Sequence, residues 1–241
     1  MPSSPSRQAE LAALAALPFA HRGLHGRGRV ENSRSAFEAA LAGGYGIELD
    51  VQRSRDGIAL VFHDYELDRL TDASGALAAA DAADLIGTPL SGSSDTIEPL
   101  PSVLELIAGR APLLIEVKSR GPVYRDLCAS VAQALAGYPG PVGVMSFDPR
   151  ISHWFAEHAP ARLRGLVVTE EGRRWRGGAE RRLALWRAQP HFLAYDVRDL
   201  PSRFAAARRA EGMPVFTWTC RQIPDRERAA LHADQIIFEE A

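Results

Sequence analysis

Two stretches of the chain decide the fold prediction, YGIELDV at residues 45–51 and LLIEVK at residues 113–118. In the first stretch Glu48 and Asp50 are two positions apart, so both side chains lie on the same face of a strand. The second stretch repeats this spacing with an acid and a lysine, and in both stretches the alternate positions are aliphatic. This pattern predicts parallel strands whose aliphatic face packs on helices and whose charged face lines a site.

Strand and helix patterns alternate along the rest of the chain. An Asp56-Gly57 turn after the second strand starts a hairpin, and the residues from about 53 to 100 are expected to form a loop-rich insertion ending at a helix capped by Ser102. Eight parallel-type strands are expected near residues 19, 45, 113, 142, 163, 192, 215 and 235. We therefore predict a single α/β domain over residues 1–241, a (β/α)8 TIM barrel with a small insertion after the second strand. An open doubly wound sheet is the alternative.

The composition is that of a globular protein. Hydrophobic residues make up 46% and charged residues 24% of the 241 residues, and the formal net charge of −2 provides no general attraction for nucleic acid or anionic membranes. No apolar run approaches the ~20 residues that cross a bilayer, and the apolar stretch at 11–20 lacks the basic start of a secretory signal. We expect a cytoplasmic protein with neither a nucleic-acid partner nor stable membrane insertion; the oligomeric state stays open.

Three acids are candidates for a metal site at the barrel mouth. Glu48, Asp50 and Glu116 would converge from adjacent strands, where their charges would repel one another. A hard divalent cation, Mg²⁺ or Ca²⁺, would relieve this repulsion, and the lack of His or Cys in the cluster argues against zinc. Lys118, the only lysine among the 28 basic residues, would offset part of the charge. Alternatively, single acids cap loops or pair with arginine.

Two histidines end strands beside this cluster. His21 and His63 are expected to form an acid–base pair, because imidazole exchanges protons near neutral pH. Arg22 and Lys118 are suited to bind phosphate oxygens. A metal, two histidines and two cations together indicate phosphoryl transfer. The sequence has no Walker loop or GxGxxG motif, which argues against a nucleoside triphosphate or dinucleotide site.

These residues also belong to a longer series of motifs in a recognisable order. The series runs through His21-Arg22-Gly23, Glu31-Asn32-Ser33, residues 47–51, His63-Asp64 with Leu67 and Arg69, residues 115–118, Ser146-Phe147 and Thr217-Trp218-Thr219. In this order and spacing the chain resembles the glycerophosphodiester phosphodiesterase family over about residues 18–239.

The resemblance implies the barrel with its insertion and a metal-dependent hydrolysis of glycerophosphodiesters to glycerol 3-phosphate and an alcohol, within lipid and glycerol metabolism. It implies that Glu48, Asp50 and Glu116 bind the metal and that His21 and His63 form the acid–base pair. It also implies that Arg22 and Lys118 bind the phosphate and that the aromatic residues Phe147 and Trp218 bind the substrate.

The chain departs from the family pattern at Val30, at Cys220-Arg221 and at Phe238-Glu239. We expect these departures to touch neither the metal ligands nor the histidines and to shape the alcohol side of the pocket. Two alternatives remain: a lipid phosphodiesterase of the lysophospholipase D or sphingomyelinase D type, which needs an apolar groove, and a non-catalytic binder of phosphate ligands. The alcohol and the choice between Mg²⁺ and Ca²⁺ stay open.

Overall fold

The computed structural model describes residues 5–119, 121–171 and 177–240. Its strands are β1 (Phe19–Ala20), β2 (Gly46–Arg53), β3 (Ala59–Val61), β4 (Glu98–Pro99), β5 (Leu113–Val117), β6 (Val142–Ser146), β7 (Leu163–Val168), β8 (Phe192–Asp196), β9 (Val215–Cys220) and β10 (Gln235–Phe238). All except β3 and β4 are parallel, and β1 pairs with both β2 and β10. These eight strands therefore form a closed barrel, and the open doubly wound sheet is excluded.

Most helices lie between successive strands around the outside of the barrel; the first precedes β1 and a short one lies in the insertion. Within the described ranges they are α1 (Pro5–Leu14), α2 (Arg34–Ala42), α3 (Ala82–Leu85), α4 (Leu100–Ile107), α5 (Arg125–Ala134), α6 (Pro149–His158), α7 (Gly177–Ala188), α8 (Arg203–Ala210) and α9 (Ile223–His232). None of these helices combines the length and the apolar character that a membrane span requires.

The layer between strands and helices confirms the predicted strand phase. Ile47 and Leu49 of β2 are fully buried in one apolar cluster with Ile115 and Val117 of β5 and with Phe37 of α2. Since side chains alternate along a strand, the charged residues between these positions face the barrel interior.

Aromatic packing closes the end of the barrel where the strands begin. Phe192 and Phe216 stack with their ring centroids 5.0 Å apart. A Cβ at Gly165 would lie 2.3 Å from the Phe192 ring, so this position must be glycine for the ring to fit. Leu11 and Leu14 of α1 pack into the same buried cluster. Apolar side chains thus fill the barrel interior at the strand-start end.

The insertion after β2 builds a small apolar centre of its own. β3 pairs antiparallel with β2, β4 pairs antiparallel with β3, and a 3₁₀ turn at Leu77–Ala79 and the short α3 lie between them. The residues of its apolar cluster are Leu60, Phe62, Leu67, Leu77, Ala82, Leu85, Leu90 and Ile97.

One helix start differs from its prediction. α4 begins at Leu100, and Ser102 lies inside the helix instead of capping it. Leu100 is fully buried, and Pro101 fits the first turn because its missing N–H would have no partner there. Burial and proline geometry therefore place the start upstream of the hydroxyl.

Candidate active site

A cavity of about 300 Å³ opens at the carboxyl ends of the barrel strands. Asp50 is the one predicted site residue that does not line the cavity; it lies behind the wall and contacts the Lys118 ammonium. The predicted site residues that line it are His21, Arg22, Glu48, His63, Glu116, Lys118, Phe147 and Trp218. The structure therefore brings the whole predicted set together.

The three acids form one buried cluster. Each of Glu48, Asp50 and Glu116 offers a carboxylate oxygen, and these oxygens lie within 4.8 Å of one another. Asp50 and Glu116 are register partners in neighbouring strands. Glu48 Oε1 is buried without a hydrogen-bond partner among the described residues. Three hard oxygen donors in one buried cluster fit a Mg²⁺ or Ca²⁺ ion.

Two cations compensate the acids unevenly. Lys118 Nζ lies 3.1 Å from Asp50 Oδ1 and 2.6 Å from Glu116 Oε1, and Arg22 Nε lies 3.2 Å from Asp50 Oδ2. Burial alone would raise the pKa of Asp50, but Lys118 and Arg22 outweigh it and hold that pKa below its ordinary value. Burial and the Asp50 charge raise the pKa of Glu48 to about 7. Lys118 and Arg22 thus compensate the negative charge of Asp50 more than that of Glu48.

An asparagine that was not among the predicted site residues positions the acids. Asn32 Nδ2 donates to Asp50 Oδ2 at 2.9 Å, and Asn32 Oδ1 accepts from the Asp50 backbone N–H at 3.1 Å. The Arg22 backbone N–H donates to Glu48 Oε2 at 3.0 Å. Asn32 belongs to a motif quoted in the sequence analysis, so its place in the motif was the available signal.

Each histidine of the predicted pair is held by a carboxylate. His21 Nδ1 lies 2.6 Å from Glu239 Oε1, and His63 Nδ1 lies 2.6 Å from Asp64 Oδ1. The other nitrogen of each ring remains for proton exchange, and His21 Nε2 lies 3.9 Å from Glu48 Oε2. Burial would lower the pKa of His21, but Glu48 and Glu239 raise it above its ordinary value. The pKa of His63 is lowered, chiefly by burial. The two rings therefore differ in their preference for the proton.

A chain of ion pairs links His63 to Arg22. Arg69, in the insertion, donates to both oxygens of Asp64 and, through Nη2, to Glu31 Oε1 at 2.7 Å. Glu31 Oε1 also accepts from Arg22 Nη1 at 2.7 Å. The insertion thereby holds His63 and Arg22 in a fixed relation.

The opposite wall of the cavity is aromatic and more open. Phe147 and Trp218 meet edge to face with their centroids 5.5 Å apart, and Trp218 Nε1 donates to the Ala194 carbonyl at 3.0 Å. The same wall contains Arg198, whose guanidinium pairs with Asp196 at 2.6 Å. Asp196 and Arg198 were not among the predicted site residues, because no motif marks the end of β8.

The expectation that the departures from the family pattern touch no histidine is wrong for Glu239. This residue follows β10, which pairs with β1, and its carboxylate therefore reaches His21. Arg221, another departure, donates to Glu239 through Nε at 2.6 Å and Nη2 at 2.9 Å. Barrel closure brings these distant positions together, which spacing along the chain does not reveal.

Comparisons with known proteins agree with this geometry. A family model described as the glycerophosphoryl diester phosphodiesterase family matches residues 21–237. A glycerophosphodiester phosphodiesterase of Bacillus altitudinis is 39% identical over 114 residues, which are 44% of this chain and 46% of the relative. One of Caldanaerobacter subterraneus subsp. tengcongensis is 34% identical over 132 residues, which are 51% of this chain and 53% of the relative. The chain thus spans about half the length of these curated relatives.

The barrel also resembles solved structures. An Oleispira antarctica phosphodiesterase in complex with the product sn-glycerol-3-phosphate has a TM-score of 0.81 and 24% sequence identity, and the match covers 94% of each chain. At this level of identity the likeness supports the fold.

Proposed function

This chain belongs to the glycerophosphoryl diester phosphodiesterase family, and we propose that it hydrolyses glycerophosphodiesters to glycerol 3-phosphate and an alcohol with the help of a divalent cation. The observation that carries the proposal is the buried cluster of Glu48, Asp50 and Glu116, flanked in one cavity by two carboxylate-held imidazoles. The named product in the Oleispira antarctica complex supports the substrate class.

The acid cluster and the cations beside it would bind the phosphodiester group. Glu48, Asp50 and Glu116 would hold Mg²⁺ or Ca²⁺, and when bound this ion supplies positive charge for the phosphoryl oxygens. Arg22 and Lys118 both line the cavity and each contacts Asp50, so they place further positive charge beside the same position. Positive groups on several sides would thus stabilise the negative charge on the reacting phosphoryl group.

His21 and His63 would move the protons. One imidazole takes the proton of the neighbouring glycerol hydroxyl as its oxygen attacks phosphorus, and the other gives a proton to the departing alcohol oxygen. A cyclic phosphate results. Water then opens the ring with the two roles exchanged, which returns both imidazoles to their starting protonation states. Glu239 and Asp64 hold the rings in orientation.

The insertion favours glycerophosphodiesters over acylated lipids as substrates. Its large apolar side chains, including Phe62 and Leu77, are buried in the insertion's own cluster. Ten of the fifteen residues that line the cavity are polar or charged, and the five apolar ones are Met145, Phe147, Val197, Trp218 and Ile237. This lining suits a water-soluble diester better than an acyl chain.

A substrate panel with product identification tests the proposal. Glycerophosphocholine, glycerophosphoethanolamine, glycerophosphoserine and lysophosphatidylcholine would be assayed in Mg²⁺ and in Ca²⁺. We expect glycerol 3-phosphate from the glycerophosphodiesters, loss of at least about 100-fold in rate on chelation, and recovery when the metal is returned. Glu116→Gln should raise the metal concentration that gives half-maximal rate, whereas Glu157→Gln on the surface of α6 should not.

Two results would contradict the proposal. Turnover of lysophosphatidylcholine alone would identify a lipid phosphodiesterase. Tight binding of glycerophosphodiesters without turnover in either metal would identify a non-catalytic binder.

A further inference from the structure

We propose a second metal site in this chain, formed by His21, His25 and Glu239 and suited to a borderline-soft divalent ion such as Zn²⁺. An ion bound to His21 Nδ1 inhibits the reaction, because a metal-bound imidazole keeps the proton on Nε2 and takes up no second proton, so the ring no longer exchanges protons with the substrate. The inhibitory part of this inference rests on the proposed function, whereas the site itself does not.

The three side chains are close enough to share one ion. His21 Nδ1 lies 2.6 Å and His25 Nε2 lies 4.0 Å from Glu239 Oε1, and the donor atoms of all three residues lie within 4.8 Å of one another. Metal–ligand bonds of about 2.0–2.1 Å in a tetrahedron place the ligand atoms about 3.3 Å apart. The two separations from Glu239 lie on either side of that value, so each must change by about 0.7 Å for the ligands to reach one ion.

The backbone brings these donors together through the closed barrel. His21 follows β1 directly, and its N–H donates to the Phe238 carbonyl of β10 at 2.8 Å. Glu239 follows β10, and its own N–H donates to the Cys220 carbonyl at 3.2 Å. The turn that carries His25 is closed by a hydrogen bond from its N–H to the Gly23 carbonyl at 2.9 Å. The ligands therefore stand on paired segments of the barrel rim.

His25 has a nitrogen free to act as a ligand. Its Nε2 is buried and has no hydrogen-bond partner among the residues that the structure describes. A buried nitrogen in this state would gain a partner when an ion binds, which favours occupation.

The donor chemistry separates this site from the acid cluster. Two imidazoles and one carboxylate suit Zn²⁺, whereas the three carboxylates of Glu48, Asp50 and Glu116 suit Mg²⁺ or Ca²⁺. Both kinds of ion can therefore be present at the same time, each at its own site.

Arg221 competes with the ion for Glu239. Its guanidinium donates to both oxygens of that carboxylate, and its side chain is 57% exposed and so can move away. The proposal therefore predicts opposite effects for two substitutions: His25→Gln removes a ligand and weakens Zn²⁺ binding, whereas Arg221→Gln removes the competing cation and strengthens it.

Equilibrium dialysis against Zn²⁺ in saturating Mg²⁺ tests the site without measuring activity. We expect wild-type protein to bind one Zn²⁺ per chain, His25→Gln to raise the Kd at least about tenfold, and Arg221→Gln to lower it several-fold. His153→Gln is the matched control, because His153 also faces a carboxylate, that of Glu157 at 3.5 Å, on the surface of α6. Circular dichroism without metal would confirm that each variant folds.

The outcomes separate the site, the inhibition and the proposed function. Equal Zn²⁺ binding by wild type and His25→Gln, or a loss caused by His153→Gln, would overturn the site. Zn²⁺ bound with undiminished hydrolysis would overturn the inhibition. If no glycerophosphodiester is hydrolysed at all, the proposed function fails, while the dialysis result still decides whether the metal site exists.

Discussion

The two walls of the cavity differ in how firmly their side chains are held. The acidic wall comprises Glu48 and, directly behind it, Asp50, and each is 1% exposed. Asp50 is bound by Lys118, Arg22 and Asn32, and Glu48 accepts a hydrogen bond from the Arg22 backbone N–H. On the aromatic wall Phe147 is 46% exposed and the Arg198 side chain is 62% exposed. The acidic wall is thus preorganised, and under the proposed function it would bind the phosphodiester group. The aromatic wall is more exposed to solvent, and under the proposed function the variable alcohol of the substrate would lie on it.

The largest effect is expected from the imidazoles beside the acidic wall. His21→Asn and His63→Asn should each lower kcat by roughly 10²–10⁴-fold with a smaller change in KM, because each removes a proton-transfer group. Steady-state kinetics on the preferred glycerophosphodiester would measure this. His158→Asn, whose ring stacks on Trp154 away from the cavity, is the control. An unchanged kcat in either cavity variant would remove that histidine from the mechanism.

An intermediate effect is expected at the link between insertion and acidic wall. Arg69→Gln should lower kcat by about 10- to 100-fold. The substitution removes the cation that joins Asp64 to Glu31, and His63 can then shift relative to the phosphate. Arg69→Lys should recover only part of the rate, because an ammonium cannot reproduce the fork of the guanidinium.

The readout for Arg69 is the kcat of each variant together with its pH profile and melting temperature. Arg55→Gln is a matched control in the same insertion, because Arg55 also pairs with an acid, Asp81, but does so at the surface. If Arg69→Gln changes melting temperature alone and keeps kcat and the pH profile of the wild type, Arg69 supports the fold and does not position His63.

The smallest effect is expected on the aromatic wall. Phe147→Ala should raise KM by about 3- to 10-fold, which corresponds to about 1 kcal/mol of aromatic contact, and should leave kcat nearly unchanged. The size of the change should vary with the alcohol of the substrate, which the panel of glycerophosphodiesters would reveal. Leu183→Ala, at an exposed site on α7, is the control. A kcat loss as large as that of the histidine variants would contradict the contrast between the walls.

The strand phase and the acid cluster were predictable because they depend on local alternation. Glu48, Asp50 and Glu116 lie at positions whose neighbours in sequence are aliphatic, and the structure confirms that they share the interior face. A period of two residues is set by backbone geometry and needs no knowledge of distant contacts.

The contacts that hold the imidazoles were less predictable because they depend on barrel closure. Glu239 lies 218 positions from His21, and Arg69 lies 38 positions from Glu31. Both pairs form only when strands or loops from different parts of the chain meet. The sequence analysis quoted all four residues but identified only His21 as a site residue.

Lys118 has a further consequence for protein chemistry. It is the only lysine in the chain, and in the folded barrel its side chain is 14% exposed and is bound by two carboxylates. Acylating reagents require an uncharged amine, and against the effect of burial the two carboxylates raise the pKa of Lys118 and keep it charged while the barrel is closed. Acylation of this side chain is therefore a covalent reporter of barrel opening, readable as a mass increment on the peptide that contains residue 118.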